Sequence, residues 1–106
     1  RMMNIQKMKQ QAQQVQVKMQ ELQEKMKDID VTAESGGGMV KVLMSCDGRL
    51  KSIDVADGAT EDKETMEDLI VAAVNNATEA KEAKVQEETK ALMGGMGLPE
   101  NAKLPF

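Results

Sequence analysis

Arg1, Lys7, Lys9 and Lys18 are the charged residues of positions 1–20, and no Asp or Glu stands among them. Cations without local acids can neutralise a polyanion such as a run of phosphates. Gln6, Gln10, Gln13, Gln14 and Gln16 lie between them. Their amides add donors and acceptors able to meet phosphates or the edges of a groove. Lys25 and Lys27 extend the basic set. Glu21 and Glu24 sit within a helical turn of Lys18, Lys25 and Lys27 and offset part of their charge. The most positive part is therefore the end that holds Arg1, Lys7 and Lys9.

Other chemistries lack their parts. The chain has no His and no Tyr, and Cys46 is its only cysteine. Zinc sites of the usual Cys and His kind are excluded within one chain, as are intramolecular disulfides. That fits a reducing compartment. Neither a Cys–His pair nor a Ser nucleophile elbow is present, so no catalytic residue is assigned. Glu61, Asp62 and Glu64 read as the start of a helix, and no metal site or cofactor is expected. Gly36, Gly37 and Gly38 lack the Gly-Lys-Ser/Thr and the following helix of a phosphate loop, so they read as a turn. Gly94, Gly95 and Gly97 end a helix instead of opening one. Residues 1–20 are too polar for a signal peptide, and no apolar run is long enough to span a membrane. Because the sequence starts at Arg1, a native initiator end is expected upstream.

The elements that must carry the cations are legible from periodicity. Ile5, Met8, Ala12, Val15, Met19, Leu22, Met26 and Ile29 recur at spacings of 3-4-3-4-3-4-3. This is a heptad a/d seam, and a strict 3.5 period asks for another helix along its length. A first helix is expected from about Met3 to Lys27, with Glu21 supporting Lys25 four residues on. Val17 is the one apolar residue well off the seam. The period then changes to two. Ile29, Val31 and Ala33 alternate with polar residues. Met39–Cys46 and Arg49–Val55 read as two further strands joined at Asp47-Gly48, a strong hairpin signal. Ala56–Ala59 is a loop, and Thr60 is the expected N-cap of a second helix with Glu61 and Asp62 in its first turn. Its apolar stripe is Met66, Leu69, Ile70, Ala73, Val74 and Ala77, with Ala80, Ala83 and Val85 giving a thinner face to about Leu92.

Composition sets the scale. A chain of 106 residues holds one domain. The expected division is a single α-β-β-β-α domain over 1–93 and an extended Gly/Pro-containing tail over 94–106. Phe106 is the only aromatic residue, while Met occurs ten times. Such a core packs adaptably and is small, so a homodimer is expected to supply missing burial. The meander and the residues Met66, Leu69, Ile70, Ala73 and Val74 are expected to build that shared core. The formal net charge of −4 hides a division, since residues 1–27 carry +4 and residues 28–106 carry −8. Local field, not the sum, governs polyanion binding.

Specific segments add a resemblance. They are Lys9-Gln10-Gln11-Ala12-Gln13-Gln14, the run from Val31 through Ser35-Gly36-Gly37-Gly38 to Val42, the run from Asp62 to Ala73, and Gly97-Leu98-Pro99 with Lys103-Leu104-Pro105-Phe106. Together with the element order they resemble the YbaB/EbfC family of small bacterial nucleoid-associated DNA-binding proteins, over nearly the whole chain. The resemblance implies an α+β fold and a homodimer shaped like tweezers, with helical prongs gripping double-stranded DNA. It implies weak sequence preference, a role in nucleoid organisation and gene regulation, a cytoplasmic, nucleoid location and no enzymatic activity. Two departures stand out. Ala56–Ala59 lacks the Pro and Leu usual there, and Glu79, Glu82, Glu87 and Glu88 make the distal second helix acidic.

Residues and resemblance together give the expectation of a non-enzymatic dimer that contacts DNA through Arg1, Lys7, Lys9 and Lys18, with Lys25 and Lys27 contributing less. No membrane and no small-molecule substrate are expected as partners. The rival reading is a protein–protein adaptor whose heptad seam docks a foreign helix.

Overall fold

The computed structural model describes residues 4–97. It is an α+β protein in the expected order: α1 (Ile5–Met26), β1 (Asp30–Ser35), β2 (Val40–Ser45), β3 (Leu50–Val55) and α2 (Lys63–Gly95). The strands form one antiparallel sheet in the order β1-β2-β3. Short 3-10 turns at Gly36–Gly38 and Asp57–Glu61 fill the two longer connections.

Strand alternation sorts the sheet into two faces. Val31, Met44 and Leu50 form one cross-strand row, Ala33, Val42 and Ile53 the next, and Ser35, Val40 and Val55 the third. These rows face α2. Leu50 and Ile53 are an odd number of residues apart and would fall on opposite faces of a regular strand. A register shift beside Met44 leaves Lys51 as an extra residue and restores both to one face. Glu34, Lys41 and Asp54 line up on the opposite, polar face.

Val40, Val42, Met44, Ala73 and Ala77 form the main core, with Leu69, Ile70 and Val74 packed against it. Small alanines let α2 approach the sheet closely. Two polar contacts tie it to β1: Ser35 Oγ donates to the Leu69 carbonyl at 2.6 Å, and Asn76 Nδ2 donates to the Glu34 carbonyl at 3.0 Å. Gly36 passes beneath Leu69 with φ of +60°, and an added Cβ would stand 2.8 Å from a Leu69 methyl. Glycine takes this left-handed backbone without strain and leaves room for the Leu69 methyl.

Several boundaries differ from the sequence expectation. Asn4 caps α1, its Oδ1 accepting the Lys7 N–H at 3.2 Å. Cys46 lies in the hairpin loop after β2, not in a strand, and its side chain is buried. Thr60 is not the N-cap of α2. Its hydroxyl donates to the Asp57 carbonyl inside the 3-10 turn, and Asp62 takes the cap position. At the other end, Gly94 and Gly95 are helical, so the tail does not begin at 94. Glycine disfavours helix by only about 1 kcal/mol, and the preceding turns carry it through. Of the thinner face, Ala80 and Val85 are half-buried but Ala83 is exposed.

Candidate nucleic-acid interface

The basic helix is rooted at one end only. Leu22, Met26 and Cys46 form a second buried cluster, joined by Ile29, Val31, Val85 and Leu92. Val31 also packs on the main core, so it links the root of α1 to the sheet. The distal half of α2 runs antiparallel to α1. Lys25 Nζ donates to Glu88 Oε1 at 2.7 Å, while Gln10, Gln13, Gln14, Val15, Val17 and Lys18 border an open cleft of about 890 Å³ beside Gly95, Met96 and Gly97.

Burial along the seam therefore falls in steps. Met26, Leu22 and Met19 are 4%, 6% and 9% exposed. Val15 is half-buried and Ala12 exposed, while Met8 reaches 48% and Ile5 77%. Past the end of α2, the remaining ten residues of α1 project for about 15 Å. The elongation is visible in the whole fold, which measures 72 × 21 × 18 Å with a radius of gyration of 19.4 Å. A compact chain of this length would have about 13 Å.

The six candidate cations now separate. Arg1 lies outside the described residues. Lys18 bonds Glu21 at 3.4 Å and Lys27 bonds Glu24 at 3.1 Å, both as exposed pairs one turn apart. Lys25 does not pair with Glu21 as the four-residue spacing suggests. Its partner is Glu88 of α2, itself held by Lys84 at 3.7 Å. The Lys25 hydrogen bond holds the Glu88 carboxyl below its ordinary value. Lys25 therefore acts as a clasp between helices. Lys7 and Lys9 are exposed and have no carboxylate within ion-pair distance among the described residues.

Helical geometry sets their directions. Lys7 and Lys18 differ by 11 positions, which places them on one flank of the seam and roughly 16 Å apart along the axis. Lys9 falls on the other flank. The projecting rod thus presents two cationic edges beside an apolar stripe, while Gln10 and Gln13 line the cleft next to the end of α2. That arrangement can straddle phosphates and position a polyanion without reading bases.

Met66, Leu69, Ile70, Ala73 and Val74 occupy α2 over the sheet, Ala73 fully buried and the others half-buried. Sequence reasoning missed Glu88 and Lys84 as the residues that fix the root of α1. No local signal marks a partner 63 positions away. Among the described residues no group of three or more His, Cys, Asp or Glu side chains is placed to hold a metal ion. No helix there is long and apolar enough to cross a membrane.

Two comparisons with known proteins bear on this geometry. The profile of the YbaB/EbfC DNA-binding family matches residues 2–96. The fold is similar to the crystal structure of uncharacterized protein HP0035 from Helicobacter pylori, at 32% identity and a TM-score of 0.69, covering 90% of this chain and 98% of that one.

Proposed function

This chain belongs to the YbaB/EbfC DNA-binding family, and from that membership we propose that it binds double-stranded DNA as a homodimer through the projecting half of α1, with weak sequence preference. The family is a nucleoid-associated DNA-binding one. A cytoplasmic, nucleoid location and a part in nucleoid organisation and gene regulation follow from the reading.

One observation carries it. Lys7 and Lys9 stand exposed and free of described carboxylates on a helix that leaves the body of the fold. Phosphates supply the missing countercharge, and Arg1 and Lys18 add to it. Lys25 is engaged with Glu88 and Lys27 with Glu24, so their share is small. The acidic residues Glu79, Glu82 and Glu87 are exposed on α2 and would repel phosphates. They favour a contact confined to α1.

The dimer rests on a second observation. α2 covers β1 and β2 but leaves β3 bare, so Ile53 is 43% exposed beside Val42 at 2%. Leu50 is exposed as well. A second copy covering this apolar face stabilises a small core and brings two basic rods into one molecule.

Charge reversal tests the reading. Lys7→Glu with Lys9→Glu lies off the seam and should abolish binding of a short duplex in a fluorescence anisotropy titration, with helicity unchanged. Lys63→Glu with Lys90→Glu makes the same net change on exposed positions of α2 and should leave affinity within about threefold. Equal losses in both variants would make net charge responsible. No loss in either would favour the adaptor reading, which the exposed Ile5 and Met8 support.

A further inference from the structure

The projecting half of α1 leaves Ile5, Met8 and Ala12 exposed, and a strict heptad asks for a helix against them. A copy of the same stripe is a poor partner. It would bring Lys7, Lys9 and Lys18 against their own counterparts, with no acid among residues 1–20 to offset them. The anchored half of the helix shows what the seam accepts instead. Lys25, at a position flanking the seam, meets Glu88 of α2 at 2.7 Å. The partner that suits the open half is a helix face with an apolar centre and acidic flanks.

α2 carries such a face. Ala73 and Ala77 are fully buried against the sheet. At about 100° per residue, the opposite side of the helix presents Glu64, Asp68, Val71, Asn75, Glu79 and Glu82, all of them exposed, and no lysine falls on that stripe. Val71, 60% exposed, is the one large apolar side chain of α2 so open among the described residues. Glu67 and Asp68 fall on its two sides one turn earlier, as Lys7 and Lys9 fall on the two sides of Met8. Glu64, Glu67, Asp68, Glu79 and Glu82 have no cation within ion-pair distance among the described residues. The stripe from Glu64 to Glu82 is roughly 27 Å long, against ~15 Å from Ile5 to Val15, so the rod fits within it. The rod cannot reach the face in its own chain. It projects past Gly95, and Val71 lies roughly 36 Å back along α2.

We propose that the rod of one copy docks on the outward face of α2 in a second copy, with Met8 against Val71 and with Lys7 and Lys9 against Glu64, Glu67 and Asp68. The contact joins two different surfaces, and neither is the apolar face of β3. It therefore links dimers made through β3 instead of replacing them. It also occupies the two lysines that the proposed function gives to phosphates. DNA then competes with a second copy for the rod. That competition rests on the DNA reading, whereas the docking does not.

Two single-cysteine chains test the docking without DNA. In a Cys46→Ala background, full chains bearing Met8→Cys and Val71→Cys are mixed at low salt, left to exchange and treated with oxidised glutathione. A disulfide-linked pair of the two different chains, identified by mass, should form several-fold faster than when Lys90→Cys replaces Val71→Cys. Pairing of Met8→Cys mainly with itself would assign the seam to its own counterpart and overturn the proposal, as would mixed pairs formed no faster than in the control. Adding Lys7→Glu and Lys9→Glu to the first chain should slow the mixed pair several-fold. Glu67→Lys with Asp68→Lys on the second chain should then restore it, and no restoration would overturn the charge pairing. Excess duplex that anisotropy shows to be bound should slow trapping of the chains with native lysines. Unchanged trapping on bound duplex would overturn the competition. Trapping in a protein that binds no duplex would support the docking and refute the DNA reading alone.

Discussion

Glu88 shows how one residue can set the position of a functional surface it does not belong to. Its carboxylate, 17% exposed, meets Lys25 at 2.7 Å and Lys84 at 3.7 Å. Since the folded pKa is lowered by Lys25, the unfolded state binds more protons between the two values, and stability rises with pH there. The contribution is complete above the ordinary glutamate range, about pH 4.3, and is lost as pH falls through the lowered folded value. Glu88→Gln should therefore have a lower urea midpoint than wild type at pH 7, and the difference should close on acidification. A gap that acidification leaves unchanged would contradict the clasp. Cys46 is a different case. Burial raises its thiol pKa, so it should resist a neutral-pH thiol reagent until the protein unfolds. Modification at the rate of a free thiol would place it at the surface.

At the scale of elements, α1 is one helix with two environments. Its C-terminal half is core, and its N-terminal half is a rod. Substitution costs should follow that division. Leu22→Ala removes a side chain that is 6% exposed and should destabilise by about 2–5 kcal/mol in denaturant unfolding. Val17→Ala, off the seam and 51% exposed, should stay within about 0.5 kcal/mol. Similar losses for the two would mean that the whole helix is packed. α2 is divided as well. Its first half lies on the sheet through Ala73 and Ala77, and its second half supports α1 through Val85 and Leu92. This double duty explains why the helix runs on through Gly94 and Gly95.

For the whole molecule, the predictions concern assembly and salt. Ile53→Asp puts a charge on the bare apolar face of β3 and should convert a sedimenting dimer into a folded monomer. Wild-type sedimentation as a monomer at micromolar concentration would remove the dimer. DNA affinity should fall with salt at a log–log slope of about −0.9 per phosphate neutralised. Arg1, Lys7, Lys9 and Lys18 in two protomers set a ceiling of about eight phosphates. Affinity indifferent to salt, or lost on one base change, would contradict phosphate neutralisation.

The seam, the alternation of Val31, Ala33, Val40 and Val42, and the Asp47-Gly48 turn were legible because each rests on a period or a local backbone preference. They determined the element order and, with the segment matches, the family. Local charge was legible too: Lys18 with Glu21 and Lys27 with Glu24 are pairs one turn apart. What the sequence left open involved elements meeting across distance. Only the tertiary structure decided that α2 covers the lower half of a seam whose eight residues look alike in sequence, that Lys25 belongs to Glu88, and that β3 stays bare while β2 is buried. A heptad states that a partner helix is wanted, but not where that partner stops. The stopping point of α2 beside Val15 is what separates the anchored half of α1 from the half that carries Lys7 and Lys9.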